Sequence, residues 1–163
     1  MSGSVTFILG LPGAGKTSWA RRQSGHIIGF DMIRIQDIFD HFPDAPNEFY
    51  EQRSEAAVLC RVISLLDGEL RSFHSRECFI DESLTAFWPA EQLVVTARHY
   101  RVPVHMVVID TPAKVCWERR RMTGFKESEF RKKVQEWQKN RSDILDLADQ
   151  VVIVPGKYDD ASI

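Results

Sequence analysis

The stretch GLPGAGKT, residues 10–17, decides how the rest of the chain is read. It fits the pattern G-x-x-x-x-G-K-[ST]. Directly before it stands VTFIL (5–9), rich in Val, Ile and Phe as a buried strand would be. Directly after it a helix is expected over 16–24, closed by Gly25. Glycines let backbone N–H groups turn inward around an anion, and the helix N-terminus adds partial positive charge. In that setting Lys16 is expected to reach the β- and γ-phosphates of a nucleoside triphosphate and the Thr17 hydroxyl to coordinate Mg²⁺. Gly13, Ala14, Gly15, Lys16, Thr17 and Ser18 are the residues of the turn expected to bind that nucleotide. The competing reading is a glycine-rich turn that binds nothing. A lysine pointing into such a nest without an anion makes that the poorer choice.

Further apolar runs read as buried strands: HIIGF (26–30), CFI (78–80), VHMVVI (104–109) and VVIV (151–154). None alternates polar with apolar, as expected for a parallel sheet covered on both faces. Helical patterns separate them. One runs from near Asn47 to about His74, others over 89–100 and 113–122, and a last one, expected to be broken, over 127–148. Strand–helix alternation throughout predicts an α/β fold: a doubly wound, five-stranded parallel sheet of the P-loop NTPase or kinase type, with a helical lid at about 119–128. No repeat, low-complexity tract or linker interrupts the chain, so residues 1–163 are expected to form a single domain.

Composition narrows the classes. Hydrophobic residues make up 44% and charged residues 27% of the chain, the balance of a globular protein. No apolar run approaches the roughly 20 residues that span a bilayer. Cys60, Cys78 and Cys116 are odd in number and form no C-x-x-C pair, which argues for reduced thiols, no zinc site and a cytoplasmic setting. The net charge of −2 excludes a general polyanion binder, but it is unevenly spread. Residues 119–141 hold nine basic side chains and three acidic ones, a local +6 that leaves −8 elsewhere. That window is either a solvated helix laced with i,i+4 pairs or a positive surface beside a phosphate-bearing ligand.

A phosphate loop needs a second oxygen ligand for the metal, on the strand beside it. CFIDES offers Asp81, with Glu82 next to it. The fate of the γ-phosphate separates three classes. A GTPase needs N-K-x-D and D-x-x-G; NRSD (140–143) and DESL (81–84) do not supply them. A motor ATPase can use Glu82 to orient water, but 163 residues leave no room for the usual lid domain and sensor regions. A phosphotransferase needs a base for the acceptor hydroxyl, cations for the developing charge, and a lid that excludes water. DTPAKVCWERRRMTGFKESEF (110–130) supplies a lid, with Gly124 as hinge. Arg119 and one neighbour, Arg121, are expected at the ATP phosphates; three consecutive arginines cannot all face one ligand.

Asp31 ends the second strand in IIGFDMIR (27–34), on the edge that carries the loop and Asp81. A carboxylate there can take the proton of an acceptor hydroxyl, and Arg34 can hold an acceptor phosphate bidentately and keep the carboxylate ionised. An N-capping Asp with a structural Arg is the alternative. Phe30, Phe39, Phe42, Phe49, Tyr50, Phe87 and Trp88 can stack on a base or fill the core.

On GLPGAGKT, FDMIR, CFIDESL, VVIDTP and CWERRR the chain resembles the kinase domain of the 5′-hydroxyl polynucleotide kinases over nearly its whole length. The resemblance implies Asp31 as general base, Arg34 as a contact to the acceptor's 3′-side phosphate, Lys16 and Thr17 on ATP and Mg²⁺, Asp81 in the metal site and Arg119 in the lid. It also implies a nucleic-acid acceptor, DNA or RNA, with a hydroxymethylated base in DNA as a variant. The sequence departs from the family where Asp81-Glu82-Ser83 replaces Asp-Thr-Asn, and where Arg120 and Thr123 replace lid Asn and Arg. Small-molecule and toxin-type P-loop kinases share the architecture and stand as the alternative.

Overall fold

The computed structural model describes residues 3–23, 26–29, 59–60, 62–72, 77–81 and 84–156. Asp31, Arg34 and Glu82 lie outside them, as do Gly25, Phe30, Phe39, Phe42, Phe49 and Tyr50.

The elements in chain order are β1 (Ser4–Leu9), α1 (Lys16–Ala20), β2 (His26–Gly29), α2 (residues 62–72), β3 (Glu77–Asp81), α3 (Phe87–His99), β4 (Val104–Asp110), α4 (Ala113–Arg120) and α5 (Glu127–Leu145), closed by β5 (Gln150–Pro155). Four parallel ladders join the strands in the order β2-β3-β1-β4-β5. From β1 the chain moves to β2 on one side of the sheet and only later reaches β4 on the other. The carboxyl end of β1 is therefore the switch point where α/β sheets hold ligands.

In the runs that form β1, β3 and β4 nearly every side chain is buried. Val5, Phe7, Ile8 and Leu9 of β1 are all fully enclosed, as is Ile80 of β3. At about 1.5–3 kcal/mol for each large apolar side chain removed from water, this central ribbon is the main stabilising element. The helices close over it by helical spacing. Leu59, Val62, Leu66 and Leu70 recur on the buried side of the segment ending in α2, and Ala90, Leu93, Val94 and Ala97 on that of α3. Pro89 sits inside α3 rather than starting it, within the first turn, where its missing N–H costs no helical bond. The run 151–154 was expected to be a buried strand, but β5 lies at the edge of the sheet and leaves Val151, Val152 and Ile153 exposed.

Two helices differ from the sequence expectation. The first was expected to reach residue 24, yet α1 ends at Ala20. Arg22 and Gln23 donate to the carbonyls of Trp19 and Ala20, so i→i−3 bonds tighten the chain into turns. The last was expected to break, yet α5 is one continuous helix of 19 residues. Phe130, Trp137 and Ile144 recur every seven residues and bury one stripe along its length, which holds it together despite its charge. Between α4 and α5 a 3₁₀ turn spans Arg121–Thr123, and Gly124 at φ 79° reverses the chain. Among the described residues no helix is long and apolar enough to cross a membrane.

Asp149 ties β5 to its neighbour. Its Oδ2 accepts the Val104 N–H at 2.8 Å, and Arg98 lies 3.5 Å from Oδ1. The Val104 N–H, with Arg98 beside it, holds this carboxyl below its ordinary 3.8. A depressed folded-state value means the contribution is complete above the unfolded value and is lost as the pH falls through the folded one. The urea midpoints of the wild type and Asp149→Asn should therefore differ at pH 7 and converge as the pH is lowered below 3.8.

Candidate functional site

The loop between β1 and α1 is shaped by its glycines. Gly13 has φ 86° and Gly15 φ 104°, left-handed conformations that disfavour any side chain. Gly13 is also a point of contact. A Cβ there would lie 2.7 Å from the carbonyl oxygen of Cys116 and 3.0 Å from Cγ of Arg120, so α4 lies directly against the loop. Inside the loop the Ala14 N–H donates to the Leu11 carbonyl at 3.0 Å, and the Trp19 N–H donates to Gly15 at 3.0 Å to begin the helix.

Lys16 is 8% exposed, and its Nζ curls back to donate to the carbonyls of Gly10 at 3.1 Å and Leu11 at 2.8 Å. Those bonds hold a positive charge over the loop at a depth where an unsatisfied ammonium would be costly. Thr17 and Ser18 follow, both exposed. The Thr17 hydroxyl donates to Oδ2 of Asp81 at 2.8 Å, across 64 residues of sequence. The ladder explains the meeting: Asp81, last residue of β3, is in register with Ile8 of β1 on one side and Gly29 of β2 on the other. A hydroxyl and a carboxylate are hard oxygen donors, the kind Mg²⁺ prefers. Among the described residues no group of three His, Cys, Asp or Glu could hold a metal. Mg²⁺ takes one or two protein oxygens and completes its shell with water and phosphate oxygens, so the Thr17–Asp81 pair fits that ion.

The arginines of ERRR divide by direction. Arg119 reaches the loop and donates from Nη1 to the Gly13 carbonyl at 3.0 Å; a Cβ on Gly15 would lie 4.0 Å from the same nitrogen. Arg121 was expected at the ATP phosphates, but its Nε pairs with Glu118 at 3.2 Å, both side chains 53% exposed. Arg120, not expected there, is the neighbour whose stem packs on Gly13. Cys116, one turn before Arg119, is buried on the same side, and burial pushes its thiol up to about 11. It is a neutral packing group at pH 7, not a nucleophile.

Two further groupings line the carboxyl edge. Asn140 of α5 donates to the Thr85 carbonyl at 3.0 Å, and the Thr85 hydroxyl donates to Glu136, which ties mid-α5 to the segment just after Asp81. Arg141 stacks over Trp137 with its Cζ 5.6 Å from the ring centre and lies 3.7 Å from Asp110 at the end of β4. These residues overlap NRSD; they sit in mid-helix with structural partners, not in a base-reading loop. Of the aromatics with a described place, Phe87 packs against the core, whereas Trp88 is 59% exposed.

Residues 5–144 match the family described as an AAA domain. The protein belongs to that family. No curated protein matches its sequence. Among solved structures, this AAA-domain chain is similar to a candidate kinase from Chloroflexus aurantiacus, with a TM-score of 0.67, 15% identity, and coverage of 94% of this chain and 85% of that one. It is similar to shikimate kinase from Bacteroides thetaiotaomicron, with a TM-score of 0.51, 18% identity, and coverage of 91% and 85%. It is also similar to a chain of the Pnkp1/Rnl/Hen1 complex, with a TM-score of 0.51, 22% identity, and coverage of 78% of this chain but 42% of that one. The fold is that of the P-loop kinases.

The Gly13 contact yields a test. Gly13→Ala should force α4 off the loop as well as strain the backbone, costing about 1–3 kcal/mol. Thermal unfolding should show a lowered Tm, whereas Gly124→Ala, whose Cβ meets nothing within 4 Å, should show only the smaller cost of its positive φ.

Proposed function

We propose that this protein is an ATP- and Mg²⁺-dependent phosphotransferase that moves the γ-phosphate to a hydroxyl, with a nucleic-acid 5′-hydroxyl as the favoured acceptor. The observation that carries the reading is the register at the end of β2. Gly29 pairs with Asp81, which accepts the Thr17 hydroxyl, and Asp31 follows Gly29 by two residues of sequence. A D-x-x-R motif thus continues from the strand next to the one that ends in the metal-type carboxylate.

The chemistry follows from the groups on the page. Lys16, released from the Gly10 and Leu11 carbonyls, places its ammonium on the β- and γ-phosphates, and Arg119 adds a second cation from α4. The Thr17 hydroxyl and the Asp81 carboxylate would hold Mg²⁺, which would supply charge neutralisation for the phosphates. Asp31, by the resemblance, takes the proton of the acceptor hydroxyl as its oxygen bonds to the γ-phosphorus. The bond from that phosphorus to the β-bridging oxygen breaks, and ADP leaves. Arg34 holds a neighbouring acceptor phosphate. Exposed Trp88, one residue into α3, offers a stacking face for a base. The similarity to shikimate kinase keeps a small-molecule acceptor as the second reading, and the AAA-domain description keeps ATP hydrolysis as a third.

Labelled ATP incubated with 5′-hydroxyl DNA and RNA, hydroxymethylated DNA, nucleosides and sugars separates them. Transfer to the 5′-hydroxyl oligonucleotide is the expected result. Asp31→Asn should abolish that transfer and leave ATP binding intact; retained transfer would remove Asp31 from the reaction. Steady phosphate release without any acceptor, stopped by Glu82→Gln, would mark an ATPase instead.

A further inference from the structure

The fourth-strand motif VVIDTP takes no part in the reaction above, yet one of its residues reaches the phosphate loop. Thr111 follows β4, is 5% exposed, and donates from its hydroxyl to the carbonyl of Ala14 at 2.8 Å, a contact between residues 97 apart. Ala14 is itself 1% exposed and lies in the middle of the phosphate loop. In a trans peptide the carbonyl of one residue and the N–H of the next point in opposite directions. Holding the Ala14 carbonyl toward β4 therefore turns the Gly15 N–H the other way, to the concave side of the loop. Gly15 is free to rotate, at φ 104°, so nothing in its own side chain fixes that peptide plane. The constraint has to come from outside the loop.

Thr111 is held in turn. Its N–H donates to the Ile109 carbonyl at 3.1 Å, and its carbonyl takes the Cys116 thiol at 3.6 Å. On its far side lies Gly156, just past β5, where an added Cβ would fall 1.7 Å from the Thr111 hydroxyl oxygen and 2.8 Å from its Cβ. The Gly156 N–H donates to the Asp110 carbonyl at 3.3 Å, which keeps that backbone in place. A side chain on Gly156 would push the hydroxyl away from Ala14.

We propose that Thr111 is a positioning residue for nucleotide phosphate: backed by Gly156, it locks the Ala14–Gly15 peptide so that the Gly15 N–H faces the phosphates. This rests on the reading of residues 10–17 as the ATP site. Thr111→Val keeps the shape and burial and removes only the donor. Titration calorimetry with ATP and Mg²⁺ should show wild-type binding, about tenfold weaker binding in Thr111→Val, and recovery in Thr111→Ser, the size expected for one lost buried hydrogen bond. Urea unfolding in the absence of nucleotide provides the control for a merely structural effect. The fall in affinity should persist at urea concentrations where both variants are fully folded. Gly156→Ala, if it folds, should weaken ATP binding like Thr111→Val. Wild-type binding matched by Thr111→Val would overturn the proposal and leave the ATP site standing. Absence of binding by the wild type would overturn the ATP site itself. Weaker binding in Thr111→Ser equal to that in Thr111→Val would assign the effect to packing and also overturn the proposal.

Discussion

Helix α4 can rest on the phosphate loop only because residue 13 carries no side chain. The Cys116 carbonyl occupies the volume a Cβ would need, at 2.7 Å from its ideal position. From that contact follow the reach of Arg119 to the Gly13 carbonyl, the packing of the Arg120 stem and the burial of Cys116. Interiors pack at the density of organic crystals, so a gap opened at this point would be transmitted rather than absorbed. The loop and the arginine helix are one packed unit, although about a hundred residues of chain separate them.

The electrostatics of the edge are equally economical. One ammonium, one guanidinium and one hydroxyl–carboxylate pair converge on the end of β1 and its neighbours. The remaining basic residues of the 119–141 window are largely engaged elsewhere: Arg121 with Glu118, Arg131 with Glu127, Lys133 near Glu136, Arg141 with Asp110. Four of the nine basic residues of the window therefore sit in partly or fully solvated pairs along α4 and α5, each a small contribution to stability. The part that reaches the loop is the side of α4 that carries Arg119 and the Arg120 stem.

What could be read in the sequence was what short-range pattern encodes. Val5, Phe7, Ile8 and Leu9 are apolar, and Thr6 among them is buried too, because both faces of a central parallel strand are covered; GLPGAGKT follows such a strand, as a phosphate cradle requires. The Thr17–Asp81 meeting was legible because strand ends align in parallel sheets. The direction of each arginine of ERRR was not, since it depends on which side of α4 meets Gly13, a property of packing. The continuity of α5 was hidden by its charge; three buried residues spaced by seven hold it, and that stripe is sparse in a basic sequence. The Thr111–Ala14 bond joins residues 97 apart, and no local pattern announces a contact of that kind.

Asn140 and Glu136 fasten the middle of α5 to Thr85 at the carboxyl edge, while Glu127 begins the helix thirteen residues earlier. At 1.5 Å per residue that span is roughly 20 Å long. It is not loose: Phe130 and Trp137 are buried within it, and Phe130 meets the rings of Trp117 and Phe125. The helix is therefore a brace pinned at both ends, and it sets the distance between the Gly124 corner and the segment that follows Asp81.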